Sequence, residues 1–162
     1  KAMEIIVNIG ITLSVLLGME VVTWLTHKYI MHGLGWYFHA DHHQPAYPHV
    51  LEKNDFYFVF FGSICTYLFY LGTDGGISWI FYVALGIQLY GIAYFLVHDV
   101  LIHRRFKWFD KTDNWYFRAL RKAPKMHHKH IGKEDGECFG MLYVPLKYFK
   151  EARNMQLQKN SK

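Results

Sequence analysis

The sequence predicts an all-α integral membrane protein, a helical bundle with about three to four transmembrane helices. Three observations support this fold class. Apolar stretches cover residues 3–26, 56–71 and 77–97, and a membrane-spanning helix needs about 20 apolar residues. The chain is 52% hydrophobic and 19% aromatic, a composition that excludes a disordered protein. A glycine-rich segment at residues 72–76 separates the last two stretches.

The first and third stretches are long enough to span a bilayer. The second stretch is shorter, but its dense aromatic residues suit a membrane interface. The segment GTDGG at residues 72–76 is typical of a tight turn, so we expect the last two stretches to form a transmembrane hairpin. A soluble bundle of buried helices is the alternative, and near-continuous hydrophobicity disfavours it. One domain covering residues 1–162 is expected from the length.

The basic residues predict how the chain is oriented. Fifteen of the eighteen Lys and Arg residues follow position 98, and the formal charge is +5 with His neutral. The positive-inside rule therefore places the tail and residues 27–55 in the cytoplasm, with the turn at 72–76 outside. In the tail we expect a helix over 114–122, capped by Asp113. Pro124 either ends that helix or opens the next one, and a last helix starts at Pro145.

Ten of the eleven histidines form four clusters, all on the predicted cytoplasmic side. The clusters are H-x4-H (His27, His32), H-x2-H-H (His39, His42, His43), a second H-x4-H (His98, His103) and H-H-x-H (His127, His128, His130). Imidazole binds iron, zinc, copper and nickel, whereas calcium and magnesium want oxygen ligands. One tetrahedral zinc takes only four ligands, so ten clustered histidines predict a site for two metals. His49, beside Pro48, is interpreted as a solvated or hydrogen-bonded side chain.

The spacing within each cluster suggests which histidines act together. Residues three and four apart share a helix face, so His39 can act with His42 and His43. In H-x4-H on an α-helix, the two rings are about 140° apart around the axis. That arrangement suits two neighbouring metals, or a helix end that unwinds.

Three acidic residues are candidates to support such a site. Glu20 lies inside the first span, where an ionisable group is costly, and it shares a helix face with His27. We expect Glu20 to point into the bundle below the metals, as a partner of a ligand or on the substrate path; a neutral, hydrogen-bonded core acid is the alternative. Asp41 and Asp99, which adjoin histidines, are candidate acceptors for the second ring N–H of a ligating histidine.

This order of motifs resembles the fatty acid hydroxylase and desaturase superfamily of membrane di-iron proteins, and most closely the bacterial β-carotene 3-hydroxylases. The resemblance is carried by HKYIMHG (27–33), HADHH (39–43), EKND (52–55), HDVLIHRRF (98–106) and MHHKHIGKEDGECFGMLYVP (126–145). A single H-x4-H is a weak signal, whereas four clusters in this order and spacing are specific. The stretches cover most of the chain outside the spans.

The resemblance implies a hydroxylase that adds hydroxyl groups at C3 of the β-ionone rings of β-carotene or a related carotenoid. It implies two iron ions, O2 and electrons from reduced ferredoxin, with zinc as a substitute acquired during purification. It also implies a bacterial inner-membrane protein surrounded by lipid, whose catalytic residues are the metal ligands themselves. Those ligands would be His27, His32, His39, His42, His43, His98, His103, His127 and His128.

One position departs from the family pattern. The last family motif is H-x2-H-H, and Pro124 occupies the position of its first histidine. Proline cannot bind a metal. His130 or water could take that place, or metal binding could be incomplete.

Two other functions compete with this interpretation. One is a hydroxylase or desaturase that acts on fatty acyl chains or sterols. The other is a non-enzymatic membrane metal or haem protein such as a transporter, which would want more polar groups deep in its spans than Glu20 and Gln88. Two cysteines without a C-x-x-C pair offer no zinc-finger or iron–sulfur site. A nucleic-acid partner is not expected beside a membrane site.

Overall fold

The computed structural model describes residues 1–44, 51–103, 105–106, 108, 114–127, 133, 139–140 and 144–160, except the side chains of residues 123 and 124. These residues contain helices and no strand, which confirms the all-α prediction. The α-helices are α1 (Ala2–Leu25), α2 (Trp36–His39), α3 (Asp55–Thr73), α4 (Trp79–Tyr94), α5 (Trp115–His127) and α6 (Leu146–Asn160).

Within the described residues, three helices are long and apolar enough to cross a membrane, as the sequence predicts. They are Ala2–Leu34, Asp55–Thr73 and Trp79–Ile102. The first and third run past the apolar stretches because α1 continues as a π-helix over Thr26–Leu34, with a kink at Gly33, and α4 as a π-helix over Phe95–Ile102. Large apolar side chains such as Leu13, Leu17 and Val21 point outward from α1, as expected for a surface in contact with lipid.

Helix α4 is the centre of the bundle and packs against both α1 and α3. Thr12, the one buried residue of α1, donates a hydrogen bond to the carbonyl of Tyr82 on α4 at 3.3 Å. Gly86 lies at this contact, and a Cβ there would be 2.7 Å from the carbonyl oxygen of Thr12. Small residues let two membrane helices approach closely, so Gly86 determines the spacing between α1 and α4.

The predicted hairpin between the second and third spans is confirmed. Helix α3 ends at Thr73 and α4 begins at Trp79, and the two helices pack together. The connection turns at Gly75 (φ 75°) and Gly76 (φ 129°), conformations that glycine adopts without steric cost.

We predict that Gly86→Ala destabilises the bundle by about 1–3 kcal/mol, because the added methyl group would collide with the α1 backbone. The matched control is Gly18→Ala, since a Cβ at Gly18 would meet nothing within 4 Å. That control should be neutral or slightly stabilising, because alanine is the better helix former. Denaturant unfolding in detergent micelles measures both variants, and equal stability of the two would contradict this role of Gly86.

The tail forms two helices that pack on each other and on the end of the third span. Their shared core contains Leu101, Ala119, Leu120, Val144, Tyr148 and Ala152. The predicted last helix is confirmed as α6. The predicted end of α5 at Pro124 is wrong, because the helix runs on to His127. A proline within a helix removes one hydrogen-bond donor, which a helix packed against its neighbours tolerates. Asp113, the predicted cap, lies outside the described residues.

Candidate metal centre

The described histidines of all four clusters come together at one end of the bundle. They come from the end of the first span, from the end of α2 and the turn Ala40–His43, from the end of the third span, and from the end of α5. Two groups form there. One holds His27, His32, His39, His43 and His127, and the other holds His42, His98 and His103.

Within each group, the ring nitrogens that could bind a metal lie within 4.8 Å of one another. Eight of the ten predicted ligands therefore belong to two compact groups. The other two, His128 and His130, lie outside the described residues, as does His49. The first group assembles five nitrogens with no contribution from position 124.

His27, His32 and His98 lie on the π-helical segments and His103 directly follows one, which changes the geometry of both H-x4-H pairs. A π-helix is closed by hydrogen bonds between residues five apart, so positions i and i+5 share a face. The backbone N–H of His103 donates to the carbonyl of His98 at 2.9 Å in this way. The ring centroids are 5.2 Å apart for His27 and His32, and 4.4 Å apart for His98 and His103. The expected separation of about 140° is wrong, since it assumed α-helical geometry, and each pair serves a single group.

The HADHH segment divides between the two groups. His39 and His43 belong to the five-histidine group, with their Nε2 atoms 3.1 Å apart. His42 belongs to the other group, and its Nε2 lies 3.3 Å from Nε2 of His98. The expectation that His39 acts with both His42 and His43 is therefore correct only for His43. Neighbouring side chains on a tight turn point in different directions, and this turn lies between the groups.

The hydrogen bonds that Nδ1 makes determine where the imidazole protons lie. Nδ1 of His27 donates a hydrogen bond to the carbonyl of Phe139 at 3.0 Å. Nδ1 of His32 donates one to the carbonyl of Lys133 at 2.8 Å. Nδ1 of His39 donates to Asn54 at 2.7 Å. Because these oxygens are acceptors, each Nδ1 carries the proton and each Nε2 keeps its lone pair.

The lone pairs in the five-histidine group fit a bound cation. Nε2 of His27 and Nε2 of His39 are 3.0 Å apart, and neither carries a proton that could join them. Two such lone pairs repel each other unless a positive charge lies between them. Two ligands about 2.1 Å from one ion, at about 90° to each other, would also be about 3.0 Å apart. An all-imidazole donor set suits a transition metal.

The EKND segment supplies two partners that the sequence analysis did not assign. Asn54 accepts a hydrogen bond from Nδ1 of His39, and Glu52 accepts one from Nδ1 of His42 at 2.6 Å. Burial lowers the pKa of His39 to about 2, although the bond to Asn54 raises it, so the ring is neutral at physiological pH. Burial also raises the pKa of the Glu52 carboxyl, and Arg105 opposes that rise. Four consecutive polar residues just before an apolar span are the signal that could have indicated these roles.

Arg105 joins the start of α3 to the end of the third span, which holds His98. Its guanidinium donates two bonds to Asp55, at 2.8 and 2.9 Å, and one to Asp99 at 2.9 Å. These carboxylates, Asp55 foremost, raise the pKa of Arg105 above its ordinary value. Oδ1 of Asp99 also faces Nδ1 of His98 at 3.6 Å. Oδ2 of Asp41, the other predicted histidine acceptor, accepts the backbone N–H of Lys53 at 2.8 Å.

We predict that Glu52→Ala weakens metal binding by the group that contains His42 by about 10- to 100-fold, because the ring loses the acceptor that orients it. Glu52→Gln keeps an acceptor oxygen and should lose less. Titration of bound metal against a competing chelator measures the change, with Glu4→Ala, remote at the start of α1, as the control. Wild-type metal retention in Glu52→Ala would show that His42 needs no such partner.

Glu20 lies deeper in the bundle, between α1 and α4. Its carboxylate accepts a hydrogen bond from the hydroxyl of Tyr90 at 2.8 Å. Tyr90 lines the cavity described below, so Glu20 supports the wall of that cavity through Tyr90. The next tyrosine along α4, Tyr94, stacks on the ring of His98 with a centroid distance of 4.6 Å.

A cavity of about 600 Å³ extends from the histidine groups into the bundle. Helix α4 forms its floor, and α1 and α3 form its two sides. His98, Asn54 and Asp99 line the end near the histidines, and Cys65 and Gln88 line the far end. Most of its other lining residues are apolar, and several, including Phe58 and Ile92, are exposed at the surface of the bundle. The cavity is thus an apolar groove that opens sideways where lipid would lie.

Comparison with known proteins gives a consistent set of relatives. The chain is 41% identical over 140 residues to a β-carotene hydroxylase of Pantoea ananas, covering 85% of this chain and 78% of the relative. It is 38% identical over 143 residues to a β-carotene hydroxylase of Pseudescherichia vulneris, covering 86% of this chain and 78% of that relative. It is also 38% identical over 135 residues to a chloroplastic β-carotene 3-hydroxylase of Haematococcus lacustris, covering 80% of this chain and 41% of that relative. No solved structure matches the chain.

The family comparison covers most of the chain. Residues 12–147 match the family model described as fatty acid hydroxylase. That range contains every described histidine of the two groups, the three apolar spans from Thr12 onward, and the groove. This match and the β-carotene hydroxylase relatives indicate an oxygen-dependent hydroxylase, and not a non-enzymatic membrane protein. The helical membrane fold, the two histidine groups and this match together show that the chain belongs to the fatty acid hydroxylase family.

Proposed function

We propose that this chain hydroxylates C3 of the β-ionone rings of carotenoids, converting β-carotene through β-cryptoxanthin to zeaxanthin. The observation that carries the proposal is the apolar groove, which leads from the lipid-facing surface of the bundle to His98 of the three-histidine group. A substrate that dissolves only in the bilayer needs such a route. The relatives named β-carotene hydroxylase support this choice among lipid substrates.

We further propose that the two histidine groups hold two iron ions, one ion in each group. His128 and His130, next to His127 in the sequence, remain predicted ligands outside the described residues. When bound, the iron would supply the activation of O2 for attack on an unactivated C–H bond. One oxygen atom enters the product as the hydroxyl group. The other leaves as water, after uptake of two electrons and two protons from outside the site.

The protein side chains contribute orientation and the exclusion of water. Asn54 and Glu52 orient the rings of His39 and His42 through Nδ1, which keeps Nε2 of each ring directed at its group. The apolar groove holds the hydrocarbon and keeps water from the ring carbon that reacts. These roles require no further acid or base among the residues that line the groove.

We propose reduced ferredoxin as the electron donor and the cytoplasmic face of a bacterial inner membrane as the location of the histidine groups. Arg118, Lys122 and Lys125 follow one another at helical spacing on α5, which ends in His127. A basic helix face beside the site suits an acidic donor by electrostatic attraction. The same charges would also attract anionic lipid headgroups. We also propose that residues 1–162 act as a single domain.

Expression in a β-carotene-accumulating bacterial host tests the function. The expected result is zeaxanthin, with β-cryptoxanthin as the intermediate, and about two metal ions per purified chain. The vector without the gene is the control. Absence of both products from iron-loaded, reduced enzyme would overturn the carotenoid assignment. Hydroxylated fatty acyl or sterol products would then identify another lipid as the substrate. Fewer than about one and a half metal ions per chain would count against a two-metal site.

A further inference from the structure

We propose that Gly62 and Gly91 determine which substrates the groove accepts, because their missing side chains leave the passage for the chain that trails from the reacting ring. Both residues line the groove, Gly62 from α3 and Gly91 from α4. This inference rests on the proposed function, since it concerns how a long hydrocarbon reaches the same site.

The two glycines lie at the same level of the hairpin. Gly72 packs against the backbone of Phe81, and the thiol of Cys65 donates to the side-chain oxygen of Gln88 at 3.6 Å. These two contacts establish the antiparallel pairing of α3 and α4. The same pairing puts Gly62 level with Gly91 along the helix axes, one helical turn closer to the histidines than Cys65 and Gln88.

Packing does not require glycine at either position. A Cβ at Gly62 or at Gly91 would meet no atom within 4 Å. Gly72 and Gly86 differ, because a Cβ there would collide with the backbone of the neighbouring helix. A glycine inside a helix costs roughly 1 kcal/mol relative to alanine. At Gly62 and Gly91 the gain is open space within the groove, and not a close helix contact.

Distance along α4 indicates which part of the substrate passes between the two glycines. Gly91 precedes His98 by seven residues, which is about two turns or roughly 10 Å of helix. When the ring carbon to be hydroxylated lies at the histidine groups, the segment between the glycines is the polyene chain, and not the ring. We therefore expect side chains at these two positions to exclude long substrates and to leave small ring-only substrates unaffected.

The test compares Gly62→Leu and Gly91→Leu with the wild type on two substrates. One substrate is β-carotene, and the other is a trimethylcyclohexene ring that carries no polyene chain. We expect kcat/KM for β-carotene to fall at least about 10-fold, the scale on which a few methylene groups alter pocket specificity. We expect kcat/KM for the ring fragment to stay within about twofold of wild type. Equal loss on both substrates, or no loss on β-carotene, would overturn the inference.

The matched control is Gly18→Leu. Gly18 is, like Gly62, an exposed helix glycine whose Cβ would meet no atom within 4 Å, but it does not line the groove. This substitution makes the same change in helix propensity and in apolar surface, so it should leave both substrates unaffected. A loss on β-carotene equal to that of Gly91→Leu would indicate a general effect of leucine in the spans and would also overturn the inference.

A binding measurement keeps this test separate from that of the proposed function. Metal-depleted protein is purified from β-carotene-accumulating cells, and the pigment retained per mole of protein is read from its visible absorbance. We expect less retained pigment in Gly62→Leu and Gly91→Leu than in the wild type and in Gly18→Leu. If the leucine variants fail to fold, Gly62→Ala and Gly91→Ala replace them in the same comparison. Unchanged retention overturns the inference, whereas a wild type that retains pigment without hydroxylating it overturns only the proposed function.

Discussion

His39→Ala is expected to remove one metal from the protein and to lower carotenoid hydroxylation at least about a thousandfold. Nε2 of His39 lies 3.0 Å from that of His27 and 3.1 Å from that of His43. The substitution therefore opens the middle of the five-histidine group. A bound metal contributes several kcal/mol of transition-state stabilisation, and about 4 kcal/mol corresponds to a thousandfold change in rate.

Metal content per chain and turnover of β-carotene, measured on the same preparation, check this expectation. His49→Ala is the control, since it removes the one histidine outside the four clusters. The control should keep both metals and its activity. Full metal content in His39→Ala, together with more than a tenth of wild-type turnover, would remove His39 from the proposed ligands.

Arg105→Met should cost about 3–5 kcal/mol of folding stability, because it leaves two carboxylates together without their cation. The side chains involved are largely buried, with 14% of Arg105, 27% of Asp55 and 11% of Asp99 exposed. The two aspartates belong to different spans. Their separation after the substitution would also displace His98, the neighbour of Asp99.

Denaturant unfolding in micelles measures this cost. Lys122→Met is the matched control, because Lys122 pairs with Glu151 at the surface, with 38% and 47% of the side chains exposed. Surface ion pairs contribute about 0–1 kcal/mol, so the control should change little. Arg105→Lys should recover only part of the loss, since lysine cannot make the paired bonds to Asp55. Equal effects of Arg105→Met and Lys122→Met would contradict a structural role for the buried contacts of Arg105 with Asp55 and Asp99.

Some roles at the site depend on contacts between residues far apart in the chain. The hydrogen bond from His27 to the carbonyl of Phe139 joins two residues that are 112 positions apart in the chain. A backbone carbonyl has no sequence signature, so no motif could predict it. Glu52 and Asn54 lie within a segment that the family resemblance had marked, but only the structure pairs each with one histidine.

The sequence by itself determined the features that depend on local chemistry. Continuous hydrophobicity specified the three spans, and the glycines at 72–76 specified the hairpin turn between them. The number and spacing of the histidines predicted a site for two metals. These features can be predicted from the sequence because each depends on a short stretch of neighbouring residues. Polar groups are costly in lipid wherever they occur in a span, and glycine gives the backbone its freedom at its own position.

Only the tertiary structure decided how the histidines divide into groups of five and three. That division depends on the π-helical turns at the ends of two spans and on a short turn that directs His42 away from His43. The groove likewise exists only because α4 lies between α1 and α3. Packing between distant segments sets both features, and a one-dimensional pattern of hydrophobicity and spacing contains no information on the angles at which helices meet.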